Sequence, residues 1–180
     1  MKLIRACTTT VLLLLGLASS PAWSQAAPAT QRFALLIGVG EYAKSTGKSA
    51  SVKNLKGPRN DVELMKKLLV AKYEFPGGPQ NIFALVDKQA THQAIAQAFR
   101  SHLIENARQN PGGTFVFYFS GHGSQTLDKN GDEGDGVDET LLAHDSRADG
   151  GDIVDDEVRE WLAELGKYTR NITVILDSCH

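Results

Sequence analysis

Two residues in this chain have the chemistry of a nucleophile and its base, and each stands at the end of an apolar run. Phe115-Val-Phe-Tyr-Phe-Ser-Gly-His-Gly123 finishes with His122 held between two glycines. Asn171-Ile-Thr-Val-Ile-Leu-Asp-Ser-Cys179 delivers a cysteine in the same way. Both runs are short and rich in β-branched or aromatic residues, which predicts strands, the first of them buried on both faces. Gly121 and Gly123 tolerate sharp backbone geometry and let another group come close. If the two strands are parallel neighbours, His122 and Cys179 emerge side by side at their carboxyl ends, where open α/β sheets place their sites. A thiol beside an imidazole there is a cysteine nucleophile with a base.

A second group is acidic. In Asp128-Lys-Asn-Gly-Asp-Glu-Gly-Asp-Gly-Val-Asp-Glu139, residues Asp128, Asn130, Asp132 and Glu139 fall at EF-hand positions, but Glu133 stands where a glycine is required. The flanks read as strand and loop, which argues against an EF-hand. Clustered carboxylates repel one another, and a hard cation such as calcium relieves that repulsion; a solvated acidic loop is the alternative. Gly38-Val-Gly-Glu-Tyr-Ala43 fits a dinucleotide pattern, but a loop follows it where the pyrophosphate needs a helix. Gly47-Lys-Ser49 lacks the first glycine of a P-loop, since Tyr42 occupies that place. His92 and His102 read as surface residues of a helix, His144 has no assigned role, and His180, on a strand or tight turn, is expected to point away from its neighbour Cys179.

The elements that position these groups alternate. Arg32 to Val39 reads as a first buried strand, followed by a surface loop from Glu41 to Leu55. Gly57-Pro58 opens a helix with proline in its first turn and Val62, Met65, Leu68 and Leu69 inward. Asn81 to Val86 is a second strand. Thr91 caps a helix reaching about Asn110, with Ile95, Phe99, Leu103 and Ala107 inward. Ser124 to Asp138 reads as a loop and Glu139 to Ala143 as a short edge strand. Asp155 to Leu165 is the last helix, with Val158, Leu162 and Leu165 inward, and Ile172 to Leu176 the closing strand. Alternating strands and helices predict an α/β fold, a mainly parallel sheet with helices on both faces. Right-handed crossovers favour the order 2-1-3-4, which makes the histidine and cysteine strands neighbours.

The first residues read differently from the rest. Lys2 and Arg5 precede Val11-Leu-Leu-Leu-Leu-Gly-Leu-Ala18, and small residues follow at Ala22 and Ser24. That pattern predicts a secretory signal peptide over residues 1–24, with a retained anchor helix as the alternative. The apolar stretch is short of the ~20 residues of a membrane span. Residues 25–31 form a lead-in and residues 32–180 one domain. Export, to the periplasm or beyond the cell, is the expected location, with no stable membrane anchor after cleavage. Of the two cysteines, Cys7 lies in the signal segment, so the mature domain has a lone thiol and draws its stability from its core. With 19 basic and 21 acidic residues and a net charge of -2, the chain has no basic footprint for nucleic acid.

With these residues placed, the chain resembles the caspase-like cysteine peptidases, and specifically their metacaspase-like branch. The stretches that carry the resemblance are Tyr118-Phe-Ser-Gly-His-Gly-Ser-Gln125, Asp135-Gly-Val-Asp-Glu139, Ile153-Val-Asp-Asp-Glu157 and Leu176-Asp-Ser-Cys-His180, with Asn60-Asp-Val62 as a weaker match. The resemblance implies a caspase-like three-layer sandwich, incomplete at its C-terminus because relatives continue through further strands. It implies Cys179 as nucleophile, His122 as acid and base, and an oxyanion hole from the backbone N–H groups of Gly123 and Cys179. Asp61, Ser120 and Asp177 match the two acids and serine that line the pocket for the residue before the cut bond, which implies protein or peptide substrates with Arg or Lys there. For Asp61 and Asp177 a helix-start acid and a turn residue are the alternatives. Asp138, Asp155 and Asp156 match calcium ligands of calcium-activated members, and no organic cofactor is implied. A catalytically silent, calcium-responsive scaffold with the same fold is the competing reading.

Overall fold

The computed structural model describes residues 31–45, 51–128, 131 and 133–179. The predicted signal peptide therefore lies outside the described residues, as do Asn130, Asp132 and His180. Strand β1 is Arg32–Gly38, β2 Ile82–Val86, β3 Thr114–Ser120 and β7 Ile172–Asp177, and they form one sheet in the order β2-β1-β3-β7. Every pairing in it is parallel. That is the predicted order, with β7 as the fourth strand of the sheet.

Both faces of β1 and β3 are covered, so their runs need no polar alternation. Leu35, Ile37, Phe115, Phe117 and Phe119 face one side, and Ala34, Leu36, Val116 and Tyr118 the other. Helix α1, Pro58–Tyr73, closes the second side with Val62 and Leu69. On the first side lies a rod made of α2, His92–Ala98, a π-helical segment Phe99–Ile104, and α3, Glu105–Gln109. Beside it packs α4, Asp155–Leu165, whose Trp161 meets Phe99 with ring centroids 5.3 Å apart. Thr91 caps α2 as expected, its hydroxyl accepting from the Ala94 N–H at 3.2 Å.

Three expectations change. Leu68 is exposed rather than inward, because the face of α1 turned to the sheet is filled by Val62 and Leu69 with Met65 packed beside them. The stretch after Gly123 is not all loop. Strand β4, Gly123–Leu127, pairs antiparallel with β5, Val137–Leu141, which pairs in turn with β6, Ile153–Val154. This second sheet reaches beyond the predicted edge strand, and the acidic loop shrinks to the connection between β4 and β5.

The third change concerns two histidines. His102 is partly buried, its Nε2 3.1 Å from the Ala34 carbonyl, and its ring lies edge-on to Phe33. Burial holds its pKa below the usual value, against the pull of the Asn81 and Ala34 carbonyls. His92 bridges two elements, with Nδ1 2.8 Å from the Gly150 carbonyl and Nε2 2.8 Å from Glu157 of α4. Burial alone lowers its pKa, but the Glu157 hydrogen bond, the Gly150 carbonyl and the charges of Glu157 and Asp145 outweigh it, and the net shift is upward. A raised folded-state pKa gives stability that is complete below the unfolded value and lost as pH rises through the folded one. The melting temperature of wild type should therefore exceed that of His92→Gln most near about pH 5.5, with the gap shrinking by about pH 8.5. Parallel thermal melts of the two proteins across that range read it.

Candidate active site

The register of β3 and β7 decides where the two candidate residues go. Ser120 of β3 stands opposite Asp177 of β7. His122 and Cys179 are each two residues further on, so both leave the sheet at the same carboxyl edge. A cleft of about 420 Å³ opens there, and Asp61, Ser120, His122, Asp177 and Cys179 all line it, with Lys56 beside them. Five residues chosen from sequence positions as far apart as 61 and 179 thus share one cavity.

His122 is fixed through its ring. Nε2 lies 2.9 Å from the Lys53 backbone carbonyl. A carbonyl only accepts, so Nε2 carries the proton and Nδ1 is left as the basic nitrogen. The Cys179 thiol is exposed, and its Sγ lies 4.0 Å from the Gly123 carbonyl.

Gly123 is placed by the second sheet. Leu142 N–H donates to the His122 carbonyl at 3.0 Å, which makes Gly123 and Leu141 a non-hydrogen-bonded pair of the β4–β5 ladder. The N–H and C=O of Gly123 therefore point away from β5. A Cβ on Gly123 would lie 1.5 Å from the Cys179 carbonyl oxygen, so only glycine lets the two backbones meet.

The acidic side of the cleft is built by three elements. Asp61 sits in the first turn of α1, and the Ser120 hydroxyl donates to its Oδ2 at 3.0 Å. Ser120 itself is buried. That bond turns the carboxylate toward the sheet edge that also carries Asp177. The field of the pair reaches Tyr118, whose pKa burial raises most, the Ser120 hydrogen bond lowers, and the charges of Asp177 and Asp61 raise further.

Residues that sequence reasoning passed over hold the loop in place. Asp87, buried at the end of β2 with φ 49°, accepts from the Gly40 and Glu41 N–H groups at 2.8 and 3.0 Å and pairs with Arg59 at 2.7 Å. Tyr42 packs its ring 5.2 Å from that of His122. Lys53 acts through its backbone, for which residue type leaves no signal.

The predicted calcium ligands lie elsewhere. Asp138 is buried on β5, while Asp155 and Asp156 open α4, the helix that β6 leads into. Asp155 Oδ1 is buried with no hydrogen-bond partner, and so is Oδ1 of Asp152, whose other oxygen meets Arg147 at 3.0 Å. Asp156 pairs with Arg159 one turn on. Hard, bare carboxylate oxygens have the right chemistry for calcium. Among the described residues, however, no three acidic, histidine or cysteine side chains are gathered to hold an ion. The EF-hand pattern has strands β4 and β5 on its flanks, and after β1 the helix α1 begins only at Pro58, too late for a dinucleotide turn.

A parallel sheet that brings a histidine and a cysteine to one edge, beside two carboxylates, defines a caspase-like architecture. The profile of the metacaspase, peptidase C14 domain matches residues 32–180, and the chain belongs to that family. It is 36% identical to metacaspase-1 of Plasmodium falciparum over 156 residues, which is 85% of this chain and 24% of that protein. Metacaspase-2 of Arabidopsis thaliana is 39% identical over 132 residues, 70% of this chain and 30% of its own length. The chain thus spans about a quarter to a third of these curated relatives. A crystal structure of a Geobacter sulfurreducens protein superposes with a TM-score of 0.60 at 27% identity, covering 83% of this chain and 51% of that one.

Proposed function

We propose that this protein is an exported cysteine endopeptidase that cuts after arginine or lysine, with Cys179 as nucleophile and His122 as acid and base. The observation that carries the reading is the single cleft in which both residues stand with Asp61, Ser120 and Asp177. Export is supported by the basic, apolar and small-residue pattern of residues 1–24.

In this reading the Cys179 Sγ attacks the peptide carbonyl carbon while the thiol proton passes to Nδ1 of His122. The carbonyl oxygen becomes an oxyanion held by the N–H groups of Gly123 and Cys179, each able to supply about 3 kcal/mol of transition-state stabilisation. When the C–N bond breaks, His122 returns the proton to the leaving amine and a thioester remains. Water attacks the thioester carbon, giving a proton to His122; the C–S bond then breaks, the carboxylic acid product leaves and His122 returns the proton to the thiolate. Lys53 keeps Nε2 protonated throughout, because its carbonyl accepts from Nε2–H, so Nδ1 is the nitrogen that gains and loses the proton.

Two carboxylates at the head of the cleft attract a guanidinium or ammonium group and repel an aspartate. A reporter peptide ending in arginine should be cleaved and its aspartate counterpart left intact. Asp177→Asn should lower kcat/KM for the arginine peptide about 10- to 100-fold, the loss of one charge-assisted hydrogen bond. An unchanged preference between the two peptides in that variant would remove the pocket assignment.

Calcium responsiveness belongs to the same proposal, on the strength of the bare Asp155 oxygen. No three metal-ligating side chains are gathered among the described residues, so a bound ion would have to draw Asp138 and Asp156 toward the bare Asp155 oxygen where β5, β6 and α4 meet. Calcium should raise the melting temperature of wild type and leave that of Asp155→Ala unmoved. Equal melting curves with calcium and with chelator in wild type would withdraw this part alone.

A further inference from the structure

Strands β1 and β3 run in register from Arg32 opposite Thr114 to Gly38 opposite Ser120, and Val39 N–H then donates to the Ser120 carbonyl at 2.9 Å. In a parallel ladder the next bond runs from the His122 N–H to the Val39 carbonyl. That bond is replaced. The Tyr42 hydroxyl accepts from the His122 N–H at 2.8 Å and donates to the Val39 carbonyl at 2.9 Å. One phenol oxygen is thus spliced into the ladder at the residue that carries the imidazole.

We propose that Tyr42 is a positioning residue for the His122–Cys179 pair: its hydroxyl wedges the end of β3 away from β1 and so holds the imidazole over the cleft. The inference rests on the peptidase reading of those two residues. Its physical content is a competition. Without the wedge, the His122 N–H can close directly on Val39, zipping the ladder by one more bond. That movement draws His122 toward β1 and away from the Lys53 carbonyl that sets its tautomer. The Tyr42 ring, 5.2 Å from the imidazole and tilted by 42°, supports the ring from one side.

Three further observations fit a built wedge. The loop bringing Tyr42 is pinned on both sides, by Asp87 at Gly40 and Glu41 and by the Asn54 side chain, which accepts from the Tyr42 N–H at 3.1 Å. A Cβ on Gly121 would come within 3.1 Å of the hydroxyl, so glycine leaves it room. Burial, partly offset by the His122 hydrogen bond and joined by the charges of Cys179 and Asp87, pushes the phenol up to about 12. The hydroxyl therefore keeps the proton it donates to Val39. The other charged groups in the cleft are Lys56, Asp61 and Asp177, and none of them is altered by the test.

The test compares wild type, Tyr42→Phe and His122→Ala in the intact protein. The rate at which iodoacetamide alkylates Cys179 is followed against pH by mass spectrometry, and turnover is followed with an arginine-ended reporter peptide. All rates are read well below the melting temperature of the least stable variant, which keeps loss of fold out of the comparison. Tyr42→Phe should lower kcat about tenfold or more with KM changed less than about twofold. Its alkylation midpoint should also move upward, toward that of His122→Ala, because a thiolate loses stabilisation as its imidazolium retreats. A structural role alone would leave that midpoint in place. If His122→Ala moves the midpoint and Tyr42→Phe superposes on wild type, the wedge is overturned and the pair stands. If His122→Ala leaves the midpoint unmoved, the pair itself is overturned and the wedge with it.

Discussion

Cys179→Ala is expected to leave the intact protein folded and to lower its turnover of an arginine-ended reporter peptide by at least about 10³-fold. The fold should survive because Cys179 is exposed, follows the last residue of β7 and contributes nothing to either apolar cluster. Activity should not survive because the lining of the cleft holds no second thiol. Ser120 is buried and already donates its hydroxyl to Asp61. Ser178 also lines the cleft, but as an alcohol it forms far less of its anion than a thiol does. Cys179→Ser should be equally silent, since a hydroxyl beside His122 forms far less of its anion than a thiol does. The measurements are kcat/KM and a thermal melt for each variant. Full activity in Cys179→Ala would transfer the nucleophile elsewhere. Turnover by neither variant nor wild type, with calcium still shifting the melt, would favour the scaffold reading of the same fold.

The sheet was legible because its strands are extreme. Phe115 to Phe119 has no polar residue to face water, so only a doubly covered strand suits it, and right-handed crossovers then leave few orders. His122 and Cys179 were legible because each stands two places past a strand, and the pairing register of β3 with β7 sets both positions. The β4–β5 hairpin was not. Gly123-Ser-Gln-Thr-Leu127 has no apolar alternation, and its backbone pairing with β5 rather than side-chain burial makes it a strand. His102 was misread because one imidazole on an amphipathic helix gives no sign of which backbone carbonyls lie beneath it. Tyr42, Lys53 and Asp87 were missed for a related reason. They act on, or through, main-chain groups of residues distant in sequence, and a single sequence carries no record of those approaches.

Gly123→Ala puts the largest effect on the smallest change, one methyl group. That methyl would stand 1.5 Å from the Cys179 carbonyl oxygen and 2.7 Å from its carbon. Both atoms are backbone, so no side-chain rotation relieves the overlap. Either the end of β7 moves outward, carrying the thiol with it, or the start of β4 swings away with the N–H proposed for the oxyanion. Both routes separate groups whose work depends on sub-ångström placement, and loss of one oxyanion donor alone costs about 10²- to 10³-fold in kcat. The apolar core is not touched by either movement, because the clash lies beyond the buried run of β3 and beyond the half-buried Ile172 and Val174 of β7. Thermal stability should accordingly fall by no more than the about 1–3 kcal/mol of a local overpacking, while turnover drops at least about 10²-fold. Gly134→Ala supplies the control, since a Cβ there meets nothing within 4 Å. Wild-type kcat in Gly123→Ala would mean that the two backbones do not meet as described, and the oxyanion assignment would fall with that contact.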